Sequence, residues 1–364
     1  MSSLPMFAPH TRDTAIVLIG TGSVGGALLR LLATPAATDL YLVGVANSRR
    51  QIVNPRGLVP AQVHALLGSA TQRCNTPALL GVLDASGSAR RVIIDATASM
   101  DVAGLHARWL GAGYHVVSAN KAAIGESWAA WNALRGASVR GAVEYGDAAT
   151  VGAGLPVLST LRRLRECGDR LLVLEGVFSG SLSWLFNQFD GSRPFSALLR
   201  EARTFGYTEP DPRIDLGGAD VARKLLILAR TAGHAIDIAQ VEVEGLVPAH
   251  LRDLDTVAFL ERVEELDTAL ETRRAQAERE QKVLRFLARV DERGNAHVGL
   301  VAVAPMHPAA RLAGTDNLFA FTTQRYRAQP LVIQGPGAGP EVTAQALLGD
   351  VLAVRTHRAA AAQG

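Results

Sequence analysis

The chain has 364 residues, 48% hydrophobic and 20% charged, with a formal net charge of +3; it is long enough to bury a large core in two or three domains, has a soluble globular composition, and carries too weak and scattered a charge to argue for nucleic acid. Two cysteines, Cys74 and Cys167, give neither a metal spacing nor a disulfide framework, which fits a reducing cytoplasm. No apolar run reaches the roughly 18 residues of a membrane span; the best candidate, Ala15–Leu29, contains four glycines.

The leader, residues 1–13, holds Arg12 and two prolines without an apolar stretch, so it reads as a loose N-terminus and not a signal peptide. From residue 14 to 150, short apolar runs (Ala15–Ile19, Tyr41–Ala46, Val92–Ala96, Tyr114–Ser118) alternate with helical patterns, which predicts βαβ units around a parallel sheet. Directly after the first run stands Gly20-Thr-Gly22-Ser23-Val24-Gly25, followed by a helix over Val24–Leu32. In that context Gly20 permits the tight turn, Gly22 lets a pyrophosphate approach the backbone, and Gly25 lets the helix pack on the strand. The amides that open the helix, Ser23 and Val24 among them, face the phosphates.

The second strand ends in Asn47-Ser48-Arg49-Arg50. A preference for NAD usually shows as a carboxylate at this point; two guanidiniums suit a 2′-phosphate instead, so NADP is favoured over NAD. Asp95-Ala-Thr97 and Ser118-Ala119-Asn120-Lys121 end two further strands on the same edge, where open α/β sheets bind ligands. A lysine there can polarise a carbonyl or move a proton, although surface lysines after strands are common. The loop from Ala148 to Pro156, rich in glycine, offers carbonyls to a monovalent cation, and a plain domain joint would look alike.

Residues 151–334 mix patterns. A helix is expected near Leu155–Cys167 and an apolar strand over Leu171–Phe178. The stretch GYTEPDPRIDLGGADVARKLLILAR, residues 206–230, is the most informative in the chain. It sets Glu209, Asp211, Asp215 and Asp220 among Arg213, Arg223 and Lys224, beside the uncharged run Leu225–Ala229. Charge is costly to bury, so this mixture predicts either a polar pocket on a buried helix or an ordinary exposed ion pair between Asp220 and Lys224, which share a helical face. A long charged helix is expected from about Val257 to about Leu287, then strands Ala288–Val290 and His297–Ala304 joined by a turn at Asp291–Asn295. A second glycine cluster, GPGAGP with Gly337, precedes a last apolar helix that completes the first domain through 335–356. The nine histidines show no ligand spacing and read as structural or solvated.

GTGSVGGALL, SANK, VGAGLP, GVFSGSLSWLFN, the 206–230 stretch and GPGAGPEVTA occur in the order seen in homoserine dehydrogenases. The resemblance runs from about Ala15 to Leu352 and is closest to the dehydrogenase half of the bifunctional aspartokinase–homoserine dehydrogenases; here the chain looks monofunctional and without an ACT domain. It implies an α/β fold with a Rossmann-type parallel-sheet nucleotide domain and an α+β substrate and dimerisation domain. It implies reduction of L-aspartate 4-semialdehyde to L-homoserine with NAD(P)H, on the route to threonine and methionine. Lys224 then resembles the proton donor, with Lys121 near nicotinamide and substrate; Glu209, Asp215 and Asp220 match acidic pocket positions, and Thr97 and Gly337 match cofactor contacts. A sodium ion held by the carbonyls of Ala148, Val151, Ala153 and Leu155, and a homodimer, are implied by the resemblance alone. The sequence-level rivals are another NADP-dependent oxidoreductase with a catalytic lysine, and a non-catalytic NADP-binding sensor.

Overall fold

The structure, a computed structural model, describes residues 13–356; the leader and the Ala-rich tail lie outside them. Contacts divide the chain into two compact units. Of the described residues, unit 1 takes 13–123, 129–150 and 339–356; unit 2 takes 124–128 and 151–338.

Unit 1 is built on β1 (Thr14–Ile19), β2 (Leu40–Ala46), β3 (Gln51–Val53), β4 (Arg90–Asp95), β5 (His115–Ser118) and β6 (Tyr145–Gly146). They lie in the order β3-β2-β1-β4-β5-β6. All pairs are parallel except the edge strand β3, which runs antiparallel to β2. β1 is buried along its whole length, as a central strand covered on both faces must be. The order reverses at β1, so the carboxyl ends of β1 and β4 flank the switch point where such sheets take ligands. The helix Ser23–Leu32 packs against the final helix, Pro340–Thr356, and Leu28, Leu347 and Val351 share one core cluster with Ile16 and Ile94.

Unit 2 carries β7 (Leu171–Val177), β8 (Val241–Val243), β9 (Val283–Asp291), β10 (Ala296–Val303), β11 (Asp316–Thr323) and β12 (Leu331–Pro336), in the order β12-β11-β7-β9-β10-β8. Only the β10–β8 pair is parallel. The helix Ala219–Ala232 packs on β9, β10 and the helix Val157–Glu166. Its residues Leu225–Ala229 are fully buried. The predicted apolar run is thus a core helix.

The expected single helix from Val257 to Leu287 is wrong. Asp255 caps a short helix, Thr256–Glu261, by accepting from Ala258 N at 2.9 Å. The chain restarts as the helix Asp267–Arg279 and stops where Gln281 takes a left-handed φ of 55°. β9 then begins at Val283, well before the expected Ala288. Arg285 hid this strand: a charge in an apolar run reads as a helix surface, yet here it is buried and its guanidinium donates to the carbonyls of Phe186, Leu284, Ala309 and Ala310. The turn at Asp291–Asn295 forms as expected, with Asp291 Oδ1 accepting from the backbone N–H of Arg293 and Asn295.

Candidate active site

In unit 1 the glycine loop is shaped by what it leaves out. Gly20 has a φ of 99°, and a Cβ there would sit 2.7 Å from the carbonyl oxygen of Ala96. A Cβ on Gly25 would meet the oxygen of Gly20 at 1.9 Å. A Cβ on Gly22 would find nothing within 4 Å, because this residue faces open space at the start of the helix. Two glycines therefore close the turn and one leaves it accessible, as a pyrophosphate on a helix N-terminus requires.

Beyond β2, Asn47 Oδ1 accepts from the backbone N–H of Arg49 and Arg50 at 2.9 and 2.8 Å and folds this segment into a tight turn. Thr21, Asn47, Arg49, Arg50 and His64 line one cavity of about 310 Å³. The Arg50 guanidinium donates to the carbonyls of Leu67 and Gly68, so its plane is already held. His64 is a lining residue that sequence reasoning missed; a lone histidine on a helix carries no spacing signal.

At the ends of β4 and β5, Asp95 Oδ1 accepts from Thr97 N at 2.8 Å, and Asn120 Nδ2 donates to Asp95 Oδ2 at 3.0 Å and to Ser99 O at 2.8 Å. Asn120 Oδ1 accepts from Ala122 N at 3.1 Å. The half-buried Lys121 lies between these two anchored residues.

In unit 2 the charged stretch sorts itself by partner. Lys224 is 9% exposed; its Nζ donates to the carbonyl of Phe178 at 2.8 Å and lies 2.8 Å from Asp220 Oδ2. This is a lysine held in place at the end of β7, not an exposed i,i+4 pair. Asp215 Oδ1 accepts from the Ser181 hydroxyl at 2.6 Å, and its Oδ2 accepts from Glu209 N at 2.9 Å. Asp215 thus ties the start of the helix Gly180–Gln188 to the backbone of Glu209, whose side chain is exposed. Asp211 and Arg213 form a bidentate pair, and Arg213 donates to the carbonyls of Arg252 and Leu254; their role is to hold the loop. The Arg213 hydrogen bond holds the Asp211 carboxyl below its usual range.

The bend at 151–155 is buried through Val151, Gly152 and Ala153, with Gly152 at φ 75° and Ala153 at φ 51°. The Leu155 carbonyl accepts from Val157 N at 2.8 Å. Ala148 stands in unit 1, its N–H donating to Asp350 Oδ2 at 2.9 Å. Gly337, in unit 2, lies against Asn317: a Cβ on it would fall 2.0 Å from the Asn317 side-chain nitrogen.

Comparison with known proteins bears on the same residues. The family model for homoserine dehydrogenase matches residues 156–352, and the model for the homoserine dehydrogenase NAD-binding domain matches residues 20–145. The chain is 41% identical over 92% of its length to bifunctional aspartokinase/homoserine dehydrogenase 2 of Escherichia coli, covering 42% of that protein. It is 38% identical over 94% of its length to a chloroplastic bifunctional enzyme of Zea mays, covering 38% of it; it therefore spans about two fifths of these bifunctional relatives. A homoserine dehydrogenase of Paracoccidioides brasiliensis is 37% identical over 93% of this chain and 96% of its own length. A solved Candida auris protein of unknown function superposes with a TM-score of 0.89 at 33% identity, over 94% of this chain and 98% of that one. A hyperthermophilic archaeal homoserine dehydrogenase in complex with NADPH has a TM-score of 0.71 over 94% of this chain and 97% of its own, and at 18% identity it shows the fold alone. With both family models matched in succession, and a relative of nearly equal length covered almost end to end, the chain belongs to the homoserine dehydrogenase family of NAD(P)-dependent oxidoreductases.

Proposed function

We propose that the chain interconverts L-aspartate 4-semialdehyde and L-homoserine, with NADP as the preferred nicotinamide cofactor, NAD remaining the alternative. The observation that carries the reading is the buried Lys224, held by Asp220 and the Phe178 carbonyl at the end of a strand. Bound nicotinamide supplies or accepts the hydride; everything else falls to the chain's own residues. Reduction of the aldehyde leaves an alkoxide that must be protonated or stabilised. An ammonium has three N–H groups; Phe178 and Asp220 take two, and the third is the one we assign to the substrate oxygen. Asp220 orients Lys224, and Glu209, its backbone fixed by Asp215, complements the substrate ammonium. Lys121 is assigned to the nicotinamide end of the substrate, together with Thr97.

The Gly20–Gly25 loop, with the Ser23 and Val24 amides, fits the pyrophosphate, Arg49 and Arg50 with His64 fit a 2′-phosphate, and Gly337 is assigned to the same cofactor. The carbonyls of Val151, Ala153 and Leu155, together with that of Ala148, are proposed sodium ligands; their support is the tight positive-φ bend and the family resemblance. A homodimer, a cytoplasmic location and a place in threonine and methionine synthesis follow from the resemblance. Among the described residues no helix is long and apolar enough to cross a membrane.

The test is NADP⁺ reduction with L-homoserine, followed at the nicotinamide absorbance, for wild type and Lys224→Ala. Robust wild-type activity and its loss in the variant are expected. An active variant, or an inactive wild type that still binds NADPH, overturns the reading, and the second outcome would favour a sensor. Light scattering at micromolar concentration tests the dimer, which a clean monomer would refute.

A further inference from the structure

Five buried residues in unit 1, Tyr145, His106, Asp95, Asn120 and Ser118, form one hydrogen-bonded chain below the Lys121 loop. Asp95, His106 and Ser118 are 0% exposed, Asn120 4% and Tyr145 5%. His106 Nε2 lies 3.0 Å from Asp95 Oδ2, and its Nδ1 lies 3.2 Å from the Tyr145 hydroxyl. Ser118 Oγ accepts from Asn120 N at 2.9 Å, and Asn120 Nδ2 donates to Asp95 Oδ2 at 3.0 Å. The members come from the ends of β4 and β5, from β6, from the helix His106–Gly111 and from the loop itself.

The donor and acceptor inventory sets the direction of the central bonds. Asp95 accepts at both oxygens, from Thr97 N at Oδ1 and from Asn120 at Oδ2. Its third partner, His106, then donates to it from Nε2, and in the neutral imidazole this leaves Nδ1 to accept the Tyr145 O–H. Burial first, and the Asp147 carboxylate second, push the tyrosine hydroxyl well above its usual range, so it keeps the proton it donates. A buried carboxylate is tolerable only when its lone pairs are met, so its orientation is set jointly by these three partners.

We propose that His106 is a positioning residue for the Lys121 loop: by holding Asp95, it fixes Thr97 on one side and, through the Asn120 carboxamide, the backbone on both sides of Lys121. The chain of contacts is short. His106 donates to the oxygen that Asn120 shares, and Asn120 Oδ1 accepts from Ala122 N, so the carboxamide brackets Lys121. The inference rests on the reading that Lys121 and Thr97 serve cofactor and substrate. A purely structural cluster would predict a loss of stability and nothing else.

The experiment compares His106→Leu, which removes both hydrogen bonds of the His106 side chain, with His106→Gln, which keeps a donor toward Asp95, with Lys121→Ala run in parallel. For His106→Leu, kcat is expected to fall about tenfold or more, because small misplacements of a reacting group are amplified in rate, with KM for homoserine changed by less than about threefold. His106→Gln is expected to recover most of that loss. A folded His106→Leu variant with wild-type kcat beside an inactive Lys121→Ala overturns the inference alone; a fully active Lys121→Ala overturns the functional reading and the inference with it. If His106→Leu fails to fold, ¹⁵N NMR of the wild type decides: the Nε2–H tautomer is required, and an Nδ1–H tautomer overturns the inference.

Discussion

The two units prepare their sites by opposite means. Unit 1 works with main chain: a methyl at Gly20 or Gly25 would strike backbone, whereas Gly22 faces open space, where we propose that the pyrophosphate approaches. Unit 2 works with side chains: Lys224, Asp220, Asp215 and Glu209 are each set by a specific partner or by a neighbour's backbone. A site made of amides is sensitive to volume and indifferent to charge. A site made of a lysine and carboxylates is the reverse. The difference teaches which substitutions are informative in each unit.

The largest expected effect follows from unit 2. Lys224→Ala removes the group assigned to the proton, and general acid catalysis is worth about 10² to 10⁴ in rate, so kcat should fall by that order. NADPH affinity, measured by fluorescence quenching, should stay within about threefold of wild type, since the glycine loop is untouched and a change that small is worth under about 1 kcal/mol. A matching collapse of NADPH affinity would break the comparison, because it would make the lysine a general support and not a local reagent.

Unit 1 supplies the converse. Gly22→Ala places a methyl into open space, so the protein should fold with an unaltered melting temperature. The same methyl would intrude where we propose that the pyrophosphate approaches; overpacking costs about 1–3 kcal/mol, or about 5- to 150-fold in NADPH affinity. Gly25→Ala should behave differently and destabilise the fold, because its Cβ would lie 1.9 Å from the oxygen of Gly20. Calorimetry on both variants separates the two outcomes, and equal melting temperatures would show that the loop is more plastic than its geometry implies.

How much of this the sequence displayed depends on how local each signal is. β1, β2, β4 and β5 were legible as apolar runs because parallel central strands are buried on both faces. The final helix was legible from its glycine cluster and apolar face. β3, β6 and β8 were not, being two or three residues long. The start of β9 was masked by Arg285, whose partners are carbonyls distant in sequence. The same rule governs the site. Asp220 and Lys224 are four residues apart and could be paired on paper, whereas Asp215's link to Ser181 and Lys224's bond to Phe178 cross 34 and 46 residues. The cavity position of His64 and the bonds of His106 were invisible for the same reason: their neighbours are spatial, and nothing in their spacing marks them.

A smaller effect is expected at the edge of the proposed cofactor site, where our assignment has unit 1 use side chains. Arg49 and Arg50 are exposed, so a 2′-phosphate paired with them stays partly solvated. Replacing both by alanine should cost about 1–2 kcal/mol, or about tenfold in the ratio of NADPH to NADH efficiency. Steady-state kinetics with both cofactors measures it. An unchanged ratio would remove the 2′-phosphate assignment and leave unit 1 a site of main chain alone.

The smallest effect tests whether charge in unit 2 matters outside the site. Glu175, on β7, accepts from His307 Nε2 at 3.1 Å and pairs with Arg289 at 2.5 Å. The His307 hydrogen bond is the main reason its carboxyl lies below its usual range, with Arg289 adding to it against the opposing effect of burial. Because the folded value is depressed, the unfolded chain binds the proton first on acidification. The stabilisation is therefore fully present above the ordinary glutamate value of about 4.3 and fades as pH falls through the lower, folded value. Glu175→Gln should accordingly lower stability by about 1 kcal/mol near neutral pH, with the gap to wild type closing under acid conditions. Its kcat should not move, since the hydrogen bonds of Lys224 run to Phe178 and Asp220 and not to this cluster. Thermal melts across an acid series, beside one activity assay, check both halves. A gap that widened on acidification would reverse the sign of the argument, and a loss of kcat would extend the reach of unit 2's side chains beyond the lysine and its immediate partners.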